Sequence, residues 1–158
     1  MKIEHVAIWA KDIDKVCAFY RKYFDGVVHP VYHNPAKQFT SRFVTFESGA
    51  RLEVMHRPDI DADVGTEAMF HVKRPQGECS AHTCMGIAEP QDVGHEVSQH
   101  LGLTHLSFSV GSKEEVDRLT QKMSEDGIQV IGEPRTTGDG YYESVVLDPE
   151  GNRIEITV

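Results

Sequence analysis

The sequence predicts an α+β fold: two β-α-β-β-β modules, paired into a curved mixed sheet and separated by a central insertion. Three observations predict it. The segment Ile3-Glu4-His5-Val6-Ala7-Ile8 is matched in kind by Leu103-Thr104-His105-Leu106-Ser107-Phe108, with His third in each alternating run. A helical segment follows each run. Both halves then close on hairpins ending in Gly-x-Arg-(Leu/Ile)-Glu, at Gly49 to Glu53 and at Gly151 to Glu155. Strand, helix, hairpin and two polar residues recurring in one order mark an internal repeat. The modules span residues 1–58 and 101–158, the insertion spans 59–100, and together they make one domain.

In the first module, Val16, Phe19, Tyr20 and Tyr23 recur at spacings of three and four, which gives a helix one apolar stripe. Asp12 is its expected N-cap and Gly26 its expected stop. In the second module Ser112 and Glu115 form a capping-box pattern, Val116, Leu119 and Met123 make the stripe, and Gly127 ends it. The last hairpin turns on Asp148-Pro149-Glu150-Gly151, which has Pro at the second position and Gly at the fourth. The insertion is rich in turn formers such as Pro75, Gly77, Gly86 and Pro90, and a short helix is expected near Asp92 to Gln99.

Composition narrows the function classes. The 158 residues carry 16 Lys and Arg against 25 Asp and Glu, a net charge of −9. Such a chain repels phosphate backbones, so nucleic acid is not an expected partner. No apolar run approaches the roughly 20 residues of a membrane span, and the charged start does not read as a signal peptide. Three cysteines without regular spacing are no disulfide framework, so a cytoplasmic location is expected. Nine histidines are about twice the ordinary share for this length.

Strand alternation picks out the histidines that matter, because successive side chains point to opposite faces. His5 opposes Val6 and Ile8, and His105 opposes Leu106 and Phe108. Glu53 opposes Leu52 and Val54, and Glu155 opposes Ile154 and Ile156. In each strand the aliphatic set suits packing under a helix and the polar residue faces the other way. If the sheets curve around one cavity, His5, Glu53, His105 and Glu155 converge there as a divalent-metal set of two imidazoles and two carboxylates. Mixed nitrogen and oxygen donors with positions left open suit Ni²⁺, Co²⁺, Mn²⁺ or Fe²⁺, and Zn²⁺ also accepts them. A single His or Glu at a strand end is commonplace; a duplicated pair of pairs is not.

These four residues on two β-α-β-β-β units resemble the vicinal oxygen chelate superfamily (glyoxalase, bleomycin resistance and dioxygenase proteins), and within it the glyoxalase I pattern of lactoylglutathione lyases. The resemblance covers roughly residues 1–58 and 101–158. It implies one divalent metal per site, Ni²⁺ or Co²⁺ before Zn²⁺, held by His5, Glu53, His105 and Glu155. It implies isomerisation of a methylglyoxal–glutathione hemithioacetal, with the metal stabilising an enediolate and a carboxylate moving the proton. Glu155 is the candidate base and Glu53 the alternate, and a homodimer is the common assembly. Other readings of the scaffold are a non-catalytic small-molecule-binding protein, an epimerase or a ring-cleaving dioxygenase.

Some residues stand outside that set. The loop Thr136 to Tyr142 lacks a basic residue to meet a thiol co-substrate's carboxylate, which leaves Lys22, Arg42 and Arg135 as candidates. Tyr141 and Tyr142 are candidates to line the pocket. Cys79, His82 and Cys84, with His71, His95 and His100 nearby, do not match the usual zinc spacings. His29, His33 and His56 read as loop residues, and Cys17 reads as a small buried hydrophobe.

Overall fold

The computed structural model describes residues 1–60 and 102–158. The expected helix near Asp92 to Gln99 and the Cys79–His82–Cys84 cluster lie outside the described residues. The first module runs β1 (His5–Trp9), α1 (Ile13–Tyr23), β2 (Val27–Val28), β3 (Tyr32–Asn34), a 3₁₀ turn (Pro35–Lys37), β4 (Phe39–Thr45) and β5 (Arg51–His56). The second runs β6 (Leu106–Ser109), α2 (Lys113–Glu125), β7 (Val130–Thr136), β8 (Tyr142–Leu147) and β9 (Arg153–Thr157).

Each module makes its own mixed sheet, in the orders β1-β5-β4-β2, with β3 also on β4, and β6-β9-β8-β7. The β1–β5 and β6–β9 pairs are parallel and the others antiparallel. Among the described residues, β1, which carries His5, and β6, which directly follows His105, are therefore both sheet edges. The repeat is imperfect at the second strand. His29 still donates to the Phe43 carbonyl at 2.9 Å, but Pro30 has no N–H to continue the ladder, so the strand splits into β2 and β3. In β7 the register with β8 shifts on either side of Gly132, in the stretch that holds Pro134.

The helices start as their caps predict. The Asp12 carboxylate accepts from Lys15 N at 3.0 Å, and the Ser112 hydroxyl from Glu115 N at 3.2 Å. The reciprocal half of the capping box does not form, because Glu115 turns to Arg118. Gly127 ends α2 with φ +81°. The end of α1 differs from expectation: the left-handed residue is Asp25, at φ +51°, rather than Gly26. Gly26 answers a packing demand instead, since a Cβ there would lie 2.6 Å from Val44 Cγ1 and 3.1 Å from the Tyr20 carbonyl oxygen.

One hydrophobic core joins the modules. Ile8, Leu52, Val54, Ile154 and Ile156, the aliphatic faces read from the sequence, are buried with Val16, Phe19 and Tyr20 of α1 and Val116, Leu119 and Met123 of α2. Each fully buried side chain of this kind contributes about 1.5–3 kcal/mol. Across the module boundary, Phe108 of β6 stacks on Phe24 at 4.2 Å and meets Phe46 edge-on at 5.0 Å. The buried Tyr20 hydroxyl donates to Asp148 at 3.1 Å, and burial holds that phenol far above its usual pKa. Cys17 is buried as expected, and burial pushes its thiol up to about 11, too high for a nucleophile at neutral pH.

Candidate metal centre

Parallel pairing puts each histidine beside its glutamate. In the first module His5 is opposite Arg51 and Ala7 opposite Glu53, so His5 and Glu53 are diagonal neighbours on the face away from α1. His5 Nε2 lies 3.8 Å from Glu53 Oε2. In the second module His105 precedes β6, Ser107 is opposite Glu155, and His105 Nε2 lies 3.5 Å from Glu155 Oε2. The two arrangements are alike in exposure as well. The imidazoles are 41% and 42% exposed and both carboxylates are 17% exposed.

Two donors on one metal at about 2.1 Å each stand about 3.0 Å apart at a right angle and about 3.4 Å apart at a tetrahedral angle. The observed separations need only small side-chain adjustments to reach those values, so each pair fits as half of a mixed nitrogen–oxygen coordination set. In both histidines Nδ1 is already engaged, by the Glu4 carboxylate at His5 and by the Thr104 hydroxyl, 3.1 Å away, at His105. That leaves Nε2 of each ring facing its glutamate, the arrangement a metal-binding histidine requires.

One chain does not bring the two pairs together. Among the described residues no group of three or more His, Cys, Asp and Glu side chains is placed to hold a metal ion. A cleft of about 940 Å³ does lie between the modules, but its walls include Val6, Phe46, Leu106 and Phe108 and none of the four predicted ligands. Convergence within a single chain is thus absent among the described residues, and each module presents a separate half-set.

Several neighbours complete the picture. Ser107 Oγ donates to Glu155 Oε1 at 2.7 Å and fixes that carboxylate. Glu143 of β8 sits beside Glu155, and burial together with the Glu155 charge raises its carboxyl above the usual range. Arg135 balances Glu143 at 3.0 Å. In the first module Phe43 meets His5 edge-on at 5.6 Å, and Trp9, on the same face as His5, meets Phe39 edge-on at 6.4 Å. The His5 ring and the Arg51 guanidinium hold the Glu4 carboxyl below its usual range.

Of the three basic residues considered for a substrate carboxylate, only Arg135 reaches the vicinity of a predicted ligand. Lys22 pairs with Asp126 at 3.0 Å, and Arg42 with Asp14 on the helix side at 3.4 Å. Tyr142 also turns to the helix side, where its hydroxyl donates to Asp117 at 2.7 Å, while Tyr141 is exposed. His33 and His56 lie in β3 and β5 rather than in loops, and His29, His33 and His56 bond Thr45, Thr40 and the Ala10 carbonyl. Glu143 escaped the sequence reading although a signal existed: in the hairpin register Val145 opposes Glu155, and Glu143 is the next residue on that face.

A family model described as the Glyoxalase/Bleomycin resistance protein/Dioxygenase superfamily matches residues 2–156. A curated Bacillus subtilis (strain 168) protein, YqjT, is 36% identical over 59 residues, which are 35% of this chain and 46% of YqjT. The match thus spans less than half of that relative. Glyoxalase I from Zea mays superposes with a TM-score of 0.65 at 16% identity, over 99% of this chain and 44% of the maize chain. A glyoxalase family protein from Enterococcus faecalis gives 0.65 at 23% identity, over 99% and 97% of the two chains. The trypanothione-dependent glyoxalase I of Leishmania major gives 0.60 at 18% identity, over 99% and 85%. These likenesses show a shared fold. No helix among the described residues is long and apolar enough to cross a membrane.

Proposed function

Because the chain belongs to the Glyoxalase/Bleomycin resistance protein/Dioxygenase superfamily, we propose that it is a metal-dependent lyase of glyoxalase type, converting a 2-oxoaldehyde–thiol hemithioacetal into an S-2-hydroxyacyl thiol. The observation that carries this reading is the duplicated His–Glu pair, with Nε2 to Oε2 separations of 3.8 and 3.5 Å at equivalent places in two modules. His5, Glu53, His105 and Glu155 are the ligand set, with Ni²⁺ or Co²⁺ as first choice and Zn²⁺ as the alternative. A divalent ion bound there supplies Lewis-acid stabilisation of negative charge developing on adjacent substrate oxygens.

The protein's own part is to move one proton between neighbouring carbons. Glu155 takes it from the carbon bonded to sulfur and returns it to the adjacent carbon. The hydroxyl proton passes from the first carbon's oxygen to the second's, so the reaction is an isomerisation with no net loss of atoms. The Ser107 hydroxyl on Oε1 holds that carboxylate in one orientation. Positioned proton transfer of this kind contributes on the order of 10² to 10⁴-fold in rate. Glu53 is the alternate base.

The complete site forms between two copies of the chain, His5 and Glu53 from one and His105 and Glu155 from the other. Three observations support this. Among the described residues the pairs stay apart within one chain and β1 and β6 end their sheets, able to pair with another strand, and both imidazoles are about two-fifths exposed. An isologous homodimer then holds two identical sites.

The test is to load the protein separately with Ni²⁺, Co²⁺ and Zn²⁺, mix it with methylglyoxal and glutathione or another thiol, and follow thioester absorbance. Thioester formation that Glu155→Gln abolishes while metal stays bound supports the reading. Unchanged turnover in Glu155→Gln would reassign the base. Bound metal without turnover for any thiol would favour a binding protein on the same scaffold, and catechol cleavage with Fe²⁺ would favour an oxygenase.

A further inference from the structure

We propose that Glu4 is a positioning residue for the His5 imidazole, clamped in place by Arg51, and that this makes His5 the anchoring imidazole of the metal set. The inference rests on the metal reading above and adds a residue and an asymmetry to it.

The clamp is a closed ring of four side chains from three segments. The Glu4 carboxylate takes His5 Nδ1 on one oxygen and the Arg51 guanidinium on the other. Arg51 lies over the Phe43 ring with its guanidinium carbon 4.0 Å from the centroid, and Phe43 in turn presses edge-on against His5. The backbone sets the register, since Arg51 N donates to the Glu4 carbonyl at 3.0 Å just where His5 is paired with Arg51 across the parallel ladder. The imidazole can therefore rotate only by breaking a charge-assisted hydrogen bond and displacing an aromatic ring. A carboxylate on Nδ1 keeps the proton there, leaves the Nε2 lone pair free, and makes that nitrogen a stronger donor to a metal.

The second module lacks the charge at this point. Thr104 stands where Glu4 stands, and a neutral hydroxyl at 3.1 Å is the partner of His105 Nδ1. Val145 opposes Glu155 where Phe43 opposes Glu53, so no aromatic ring closes on His105 from that strand. The duplicated ligands thus have unequal support, carboxylate at one and hydroxyl at the other.

Metal affinity of the full chain, measured by competition between the protein and a chromophoric chelator for Ni²⁺ or Co²⁺, tests this. Loss of an outer partner of a ligating histidine costs about 10–100-fold in affinity. Glu4→Gln is expected to lose that much, Glu4→Asp to recover part of it, and Thr104→Val to lose clearly less. The Co²⁺ absorption spectrum should change in Glu4→Gln, while the melting temperature of the metal-free variant stays at the wild-type value because Glu4 is exposed. Wild-type affinity in Glu4→Gln, alongside loss of binding in His5→Ala, overturns the clamp and leaves the metal reading standing. Wild-type affinity in His5→Ala overturns the metal reading itself.

Discussion

Tyr20→Phe isolates one hydrogen bond that ties the two modules together. The Tyr20 side chain is fully buried, its ring lies 5.2 Å from Phe19 and 6.0 Å from Phe108, and its hydroxyl is 3.1 Å from Asp148 Oδ2. Phenylalanine preserves the ring packing and removes only the hydroxyl. A hydrogen bond to a charged acceptor is worth about 1.5–3 kcal/mol. Two features place the loss at the lower end. The 3.1 Å separation is long for a hydroxyl–carboxylate bond, and Asp148 keeps donors from Glu150 N, Asn152 N and Asn152 Nδ2, each at 2.9 Å. A loss of about 1.5 kcal/mol corresponds to a drop in melting temperature of about 3–6 °C for a chain of this size. The assay is thermal and urea unfolding of metal-free protein at one fixed concentration, since association would shift both curves. Tyr20→Ala removes the ring as well and should cost about 3–5 kcal/mol. A Tyr20→Phe variant as stable as wild type would show that the turn alone satisfies Asp148, and the coupling of α1 to the β8–β9 turn would then rest on apolar packing.

The remaining predictions concern the scaffold. Thr120 and Ser144 share a buried hydroxyl contact of 2.6 Å, so Thr120→Val should lose about 1–3 kcal/mol by stranding the Ser144 hydroxyl, and adding Ser144→Ala should recover part of that in a double-mutant unfolding cycle. Gly26→Ala should cost about 1–3 kcal/mol in urea unfolding, because its methyl would meet Val44 Cγ1 at 2.6 Å. Asp126 gives a pH signature. Lys122, Lys22 and the Tyr23 hydroxyl hold its carboxyl well below the ordinary aspartate value of 3.8, so its contribution is complete above that value and is lost as pH falls through the lower folded one. Asp126→Asn should therefore lower the melting temperature at neutral pH, and the difference from wild type should shrink steadily under acid; a difference independent of pH would contradict this.

Much of this protein was legible because its modules obey two simple periods. Alternation placed Ile8, Leu52, Val54, Ile154 and Ile156 in the core and turned His5, Glu53 and Glu155 away from it, and the structure agrees. Caps and apolar stripes located both helices. What escaped depended on register and on local chemistry. The break between β2 and β3 comes from the missing N–H of Pro30, a consequence visible only once His29 is known to pair with β4. Asp25 takes the left-handed conformation because Gly26 is consumed by close packing on Val44, a demand no local pattern encodes. Ser107 and Glu143 gain their roles only from the structure, because both depend on which residues oppose Glu155. The Glu4–Arg51 pair likewise needs the parallel β1–β5 register.

Subunit complementation tests the shared metal site most directly. His5→Ala and His105→Ala are prepared separately, and each homodimer has both of its sites damaged. After the two are mixed and their subunits exchanged, each heterodimer holds one site missing both histidines and one intact site. With random exchange at equal amounts, about a quarter of wild-type metal binding and thioester-forming activity should return. No recovery in a mixture shown to contain heterodimers would contradict a site built from two chains.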